Sequence, residues 1–139
     1  MRSWLVDSGP LIALFDRDDA HHERIKAFLE NYPARLLTTW PVLTETCAIL
    51  PTPCVQYFLT FVERGGASVV GLPGEAVTTI RSLMDKYADR PMDFADASLV
   101  VLAVLQKMDS ILSLDADFTV YRLPGKKRFK NPLTDAEYP

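Results

Sequence analysis

The chain has 139 residues, of which 48% are hydrophobic and 24% charged. These values are ordinary for a globular protein and argue against disorder, and no apolar run approaches the roughly 20 residues that span a bilayer. The net charge of −3 is not that of a protein that binds nucleic acid through a broad basic surface. We therefore interpret residues 1–139 as one domain, and the absence of a signal-peptide pattern makes the cytoplasm its expected location.

The first predicted unit is a strand followed by a helix. Residues 3–7, SWLVD, form a short apolar run that ends in Asp7. Residues 8–10, SGP, then offer a turn and a proline start for the helix PLIALFD. Apolar residues at helical spacing predict a second helix over residues 21–31, which the following Tyr-Pro pair ends.

The middle of the chain repeats this alternation. Residues 36–39 are a second strand candidate, residues 41–50 form a helix that a proline opens, and residues 54–64 form a further helix. ASVVGL at 67–72 is a third strand, and an apolar stripe predicts a helix over residues 74–87.

The last third of the chain contains its most apolar helix. DFADASLVVLAVLQKM, residues 93–108, is apolar through its middle and is predicted to lie deep in the core. SILSL at 110–114 is a fourth strand, which Asp115 follows, and VYRL at 120–123 is a candidate fifth strand. Residues 124–139 are interpreted as a C-terminal tail, in which GKKRFKN forms a basic loop.

Strands that are apolar throughout, alternating with helices, indicate a parallel sheet that is covered on both faces. We therefore predict an α/β fold of three layers. Its centre is a mainly parallel sheet of four or five strands, with helices on both faces.

Acidic residues stand where such a sheet binds ligands. Asp7 and Asp115 follow predicted strands at their carboxyl ends, and Glu45, Asp93 and Asp96 lie near the starts of helices that open onto the same edge. Each has an ordinary structural explanation, since an aspartate at a strand end or helix start often forms a cap or turn. It is their joint placement that favours a single acidic site.

Four segments of the sequence resemble the acidic blocks of PIN-domain proteins, especially the VapC-like toxins of toxin–antitoxin pairs. The segments are LVDSGPLIALFDRDDAHH, WPVLTETCAIL, MDFADASLVVLAVL and ILSLDADF, in that order, from residue 4 to about residue 121. The resemblance implies that Asp7, Glu45, Asp96 and Asp115 are the catalytic, metal-binding acids, and that Asp93 is an accessory acid.

Two further residues are weaker matches to the same pattern. Asp117 is either an accessory acid or a turn residue. The family often has a hydroxyl two residues after the first acid, but here that position is Gly9 and the hydroxyl belongs to Ser8.

The residue types predict the chemistry of the site. Converging carboxylates repel one another, and a divalent cation relieves that repulsion. All-oxygen ligands with room for water and phosphate suit Mg²⁺ or Mn²⁺, which supports phosphodiester hydrolysis without a covalent intermediate. The resemblance implies an endoribonuclease that leaves 5′-phosphate and 3′-hydroxyl ends, with RNA as substrate, an antitoxin as partner and a homodimeric assembly.

The same acids are compatible with two other kinds of protein. A PIN-like scaffold that binds RNA or a partner without cutting would share the fold. A phosphatase of the haloacid-dehalogenase type requires a second acid two residues after the first, where this sequence has Gly9.

Two other clusters have ordinary explanations. Zinc held by Cys47, Cys54, His21 and His22 matches no familiar spacing, so buried free thiols are the preferred interpretation. The basic run of Lys126, Lys127, Arg128 and Lys130 is better explained as a solvated loop than as a track for RNA phosphates.

Overall fold

The computed structural model describes residues 2–135. Met1 and residues 136–139, which the predicted domain and tail boundaries include, lie outside the described residues. Within residues 2–135 the helices are α1 Ser8–Phe15, α2 His22–Asn31, α3 Trp40–Ile49, α4 Thr52–Glu63, α5 Ala76–Lys86 and α6 Phe94–Gln106. The strands are β1 Arg2–Val6, β2 Ala34–Thr38, β3 Ser68–Val69, β4 Ile111–Leu112, β5 Arg122–Leu123 and β6 Lys127–Arg128.

The central sheet has four parallel strands in the order β3-β2-β1-β4. Helices cover both of its faces, which confirms the predicted α/β fold. Since β1 lies between β2 and β4, the residues that follow these three strands emerge side by side at one edge. Those residues begin with Asp7, Thr39 and Ser113.

Helix α6 is the most deeply buried helix, as its apolar middle predicts. All seven residues from Ala97 to Ala103, together with Ala95, are buried in the core. The exposed Val104 and Leu105 lie at its other end. Of the helices in the described part of the chain, none is both long and apolar enough to cross a membrane.

The candidate fifth strand lies outside the parallel sheet. Residues of β5 pair instead with β6 in an antiparallel ribbon, in which Arg122 is opposite Arg128. The parallel sheet therefore has four strands, the smaller of the two numbers predicted from the sequence.

The prediction of a basic loop in the tail was wrong. Lys127 and Arg128 form β6, and the residues after them return to the edge of the sheet, where Ile111 N donates to Lys130 O at 2.9 Å. Phe129 and Leu133 are buried in the core. The physical reason is that these apolar side chains, spaced among charged ones, gain more from burial than the segment loses in chain entropy.

Candidate active site

Asp7 lies at the centre of the carboxyl edge of the sheet and caps α1. Its side chain is only 7% exposed. Ser8 N donates to its Oδ1 at 2.8 Å, and Ser113 Oγ donates to its Oδ2 at 3.0 Å. Burial raises the pKa of Asp7 to about 6, although these two hydrogen bonds lower it, and the charges of Glu45 and Asp93 raise it further. Both carboxylate oxygens are therefore held in place, and the ionised form is costly at neutral pH.

Ser8 connects the first acidic block to the second. Its Oγ donates to Glu45 Oε1 at 3.0 Å, while its backbone N–H holds Asp7. Glu45 lies in the second turn of α3 and is partly buried. The hydroxyl at position 8 thus orients a carboxylate, although it stands one residue before the place where the family often has one.

Asp93 and Asp96 begin α6 with a reciprocal capping box. Asp96 N donates to Asp93 Oδ1 at 2.7 Å, and Asp93 N donates to Asp96 Oδ2 at 3.3 Å. Burial, with the charges of Asp7 and Asp93, raises the pKa of Asp96 to about 8. The two aspartates are therefore helix caps as well as members of the acidic cluster.

Asp115 joins the cluster through its backbone. Its N–H donates to Ser113 Oγ at 3.0 Å, and Ser113 Oγ in turn holds Asp7. The exposed Asp115 carboxylate caps the short 3₁₀ helix Ala116–Thr119 by accepting from Asp117 N at 3.0 Å. The Asp117 carboxylate pairs with Arg90 at 3.1 Å, so the structure supports a structural role for it.

Three contributors to this site were not foreseen from the sequence. Ser113 is fully buried, and its hydroxyl bridges Asp7 to the backbone of Asp115. Tyr121 OH donates to Asp96 Oδ2 at 3.4 Å, and burial with the nearby Asp96 charge raises the pKa of that phenol. Asn131 holds the backbone of Ser113 through two hydrogen bonds. For Ser113 the sequence signal was a polar residue inside the apolar run SILSL. Ser110 lies in the same run, so this signal does not distinguish the two serines.

The donor chemistry of the cluster fits a hard divalent cation. Asp7 and Asp96 retain protons close to neutral pH, because their charges are buried beside other acids, and a cation would relieve the same cost. Within residues 2–135, however, no three acid, histidine or cysteine side chains are close enough together to surround one ion. A bound cation would have to draw the carboxylates closer together than this structure holds them.

The cysteines and the basic run are the two features for which ordinary structural explanations were preferred. Cys47 and Cys54 are free and partly buried, and the described cysteines and histidines form no metal-holding group. Lys127 and Lys130 contact the Asp109 carboxylate at 3.0 and 3.7 Å. The two lysine side chains remain exposed, so the Asp109 contacts give them a structural partner at the surface.

The chain that forms this site matches a known protein family. The sequence matches the model of the PIN domain family over residues 4–123. No curated protein matches the chain.

Two solved structures share the fold at low sequence identity. VapC20 of Mycobacterium tuberculosis, a toxin that cleaves the sarcin–ricin loop, has a TM-score of 0.76 and 19% identity, covering 84% of this chain and 92% of its own. VapBC2 of Rickettsia felis, solved bound to a DNA fragment from its promoter, has a TM-score of 0.61 and 9% identity, covering 93% of this chain and 98% of its own. At these identities the likeness establishes the fold.

Proposed function

This chain belongs to the PIN domain family, and from that premise we propose that it is a metal-dependent endoribonuclease, the toxin of a toxin–antitoxin pair. Members of the family are nucleases. The observation that carries the proposal is the buried Asp7, held on both oxygens and surrounded electrostatically by Glu45, Asp93 and Asp96. A fold that needed these residues only as caps would have no reason to gather their charges.

Asp7, Asp96 and Asp115 are proposed as the main ligands of Mg²⁺ or Mn²⁺. When bound, the cation would acidify a water molecule and stabilise the leaving oxygen of the phosphodiester. Ser8 and Ser113 keep the Asp7 carboxylate aimed at the site through their hydrogen bonds. Asp93 supports Asp96 through the capping box, and it is proposed as an accessory acid. Ser8 is proposed as an accessory hydroxyl, and any accessory role of Asp117 would be exercised from its ion pair with Arg90.

Glu45 is proposed to orient the attacking water. The alternative role for Glu45 is that of a fourth ligand to the metal ion. Its Oε1 accepts from Ser8 Oγ, which leaves its second oxygen to accept a proton of the water. The water oxygen attacks phosphorus as its proton passes to Glu45, and the bond from phosphorus to the 3′-oxygen breaks. The departing 3′-oxygen takes a proton from solvent, so the products carry 5′-phosphate and 3′-hydroxyl ends.

The partners follow from the proteins that share the fold. VapC20 is a toxin that cleaves the sarcin–ricin loop, and VapBC2 was solved bound to a DNA fragment from its promoter. We propose RNA as the substrate here, with a cognate antitoxin, a homodimeric assembly and a cytoplasmic location. The haloacid-dehalogenase alternative has no support in the family match.

A second candidate is a PIN scaffold that binds RNA without cutting it. One observation favours it, since the acidic, histidine and cysteine side chains of residues 2–135 form no group tight enough to hold an ion as they stand. The two candidates differ in a single measurement, which is RNA cleavage with added Mg²⁺ or Mn²⁺.

The decisive experiment compares wild type with Asp7→Asn and Asp96→Asn in that cleavage assay. Each variant should abolish cleavage while keeping or raising the thermal midpoint, because it removes repulsion from the metal-free fold. Asp89→Asn, which changes an exposed acid in the turn before α6, is the matched control and should cut like wild type. Full activity in Asp7→Asn or Asp96→Asn would overturn the assignment of these acids, and an inactive wild type with bound metal would favour the scaffold.

A further inference from the structure

Two large aromatic side chains stand in solvent beside the acidic cluster. Trp40 is 61% exposed and Phe94 is 46% exposed. Single exposed hydrophobic residues are common, but these two line the same open cleft of about 540 Å³. Glu45 and Asp93 line that cleft as well. We call it the aromatic cleft, defined by Trp40, Phe94, Glu45 and Asp93.

The backbone beneath the two rings is fixed by buried hydrogen bonds. Trp40 and Phe94 are the first residues of α3 and α6. The two helix starts are joined by Thr39 and Ser98, whose hydroxyl oxygens lie 2.7 Å apart and are fully buried. The rings are therefore presented from a rigid base, and a ligand that contacts them has little backbone left to order.

The charges of the aromatic cleft select the kind of group that enters it. Its two ionisable lining residues are both acids, so a phosphate would be repelled there. The remaining lining residues are apolar or small, and they include Pro41, Ala48 and Ala95. An uncharged, flat ring gains from contact with the Trp and Phe faces, and it carries no net charge for the carboxylates to repel.

We propose that the aromatic cleft stacks one unpaired nucleobase of the RNA, next to the bond that is cut. This inference rests on the proposed function, since Glu45 belongs to the proposed catalytic cluster. Because Glu45 and Asp93 line the cleft, a base that enters it would lie beside the proposed catalytic acids. Because a base in a duplex is already stacked and paired, the site favours single-stranded or bulged RNA.

The first test uses Trp40 itself as the reporter. The sequence contains two tryptophans, and Trp4 is only 2% exposed. In Mg²⁺, read by stopped flow before cleavage proceeds, a short single-stranded oligoribonucleotide should quench the exposed Trp40 fluorescence until the site is saturated. An abasic oligonucleotide of equal length carries the same phosphates and should quench little. Equal quenching by both probes, or none by either, would overturn the proposal.

The second test separates binding from chemistry with variants of the rings. Trp40→Leu and Phe94→Leu should each raise KM for cleavage of single-stranded RNA by about 5-fold to 150-fold, the range expected for loss of one stacked base. The value of kcat should change little, because neither ring is placed against the reacting atoms. Trp40→Phe keeps a flat ring and should restore most of the affinity. Tyr57→Leu removes an aromatic side chain that is 73% exposed on α4 and does not line the aromatic cleft, so it is the matched control.

The outcomes distinguish this inference from the proposed function. If wild type cuts RNA and Trp40→Leu keeps its KM, stacking is wrong and the nuclease stands. If wild type does not cut but the oligoribonucleotide quenches Trp40 in preference to the abasic probe, the base site stands and the nuclease is wrong. If Trp40→Leu splits a wild-type dimer into monomers and neither probe quenches Trp40 fluorescence, the aromatic cleft is an interface between copies of this chain. The inference is then overturned.

Discussion

At the scale of single residues, Ser113 is the side chain that does most to stabilise the charge of Asp7, the proposed catalytic acid. Its hydroxyl donates to Asp7 Oδ2 and accepts from Asp115 N, and it has no exposed surface. Removing it takes a stabilising bond from a carboxylate whose pKa is already raised to about 6. Supporting bonds of this kind are commonly worth 10–100-fold in activity or metal affinity.

Ser113→Ala is therefore predicted to lower kcat for RNA cleavage by about 10-fold to 100-fold. Loss of the hydrogen bond also raises the pKa of Asp7 further, so the acidic limb of the pH–rate profile should move to higher pH. Steady-state kinetics from pH 5 to 9 measures both effects. Ser82→Ala, an exposed serine on α5, is the control, and an unmoved profile in Ser113→Ala would contradict the assigned role.

The sequence predicted the acids more readily than their partners. Asp7, Glu45, Asp93 and Asp96 stand where strands end or helices begin, and that placement can be recognised from periodicity and turn residues. The contacts of Ser113 and Tyr121 depend on which side chains meet across the sheet, over separations of 106 residues for Asp7–Ser113 and 25 for Asp96–Tyr121. No local pattern encodes such a meeting, and whether the gathered acids bind metal stays a prediction.

At the scale of elements, the start of α6 combines two functions in one aspartate. Asp93 caps the helix, which stabilises its buried residues, and its charge also raises the pKa of Asp7 and Asp96. Asparagine caps a helix about as well as aspartate, but it carries no charge. Replacing Asp93 by asparagine and by alanine can therefore separate the effect of the helix cap from the effect of the charge.

Asp93→Ala is predicted to lower the free energy of unfolding by about 1 kcal/mol, whereas Asp93→Asn should leave it nearly unchanged. If Asp93 is an accessory to the metal site, both variants should lose RNA cleavage to a similar degree. Urea denaturation measures the first effect, and a cleavage assay in Mg²⁺ measures the second. Wild-type cleavage in Asp93→Asn would limit this residue to capping.

The elements themselves were predicted well where periodicity was strong and poorly where it was short. Helix α6 was identified because its apolar run is longer than a typical strand. Strands β1 and β4 were identified because each is a short apolar run that an aspartate follows. The tail was misassigned because β6 spans only Lys127–Arg128, both exposed and charged. Its stability comes from Phe129, Asn131 and Leu133, whose burial depends on the distant edge of β4.

The tail therefore has a testable structural role. Asn131 is 1% exposed, donates to Ser113 O at 2.9 Å, and accepts from the backbone N–H groups of Ser113 and Leu133. Asn131→Ala leaves these buried groups without their partner, and it should lower the free energy of unfolding by about 2–3 kcal/mol. Arg128→Ala removes an exposed side chain and should stay within about 0.5 kcal/mol in the same urea titration. A mobile, non-structural tail would make the two variants alike.

At the scale of the whole molecule, the acidic cluster lowers stability in the absence of a cation. The pKa of Asp7 rises from 3.8 to about 6 on folding, mainly because the carboxyl is buried. The native state therefore holds the proton more tightly than the unfolded chain, and stability that is present below pH 4 is lost as pH rises through 6. For this nearly buried group the loss is about 3 kcal/mol. Asp96, with a pKa of about 8, extends the decline to higher pH.

A divalent cation should reverse that loss, because it binds the native carboxylates in place of protons. Mg²⁺ at about 100 times its dissociation constant adds about 2.7 kcal/mol, which corresponds to a rise of about 8 °C in Tm. The rise should be larger at pH 8.5 than at pH 5.5, since protons on Asp7 and Asp96 compete with the ion at the lower pH. Thermal unfolding at both pH values, with NaCl matched for ionic strength, measures the difference, and Asp7→Asn should remove most of it. A rise that is equal at the two pH values, or equal in Asp7→Asn and wild type, would mean that Mg²⁺ binds elsewhere on the protein.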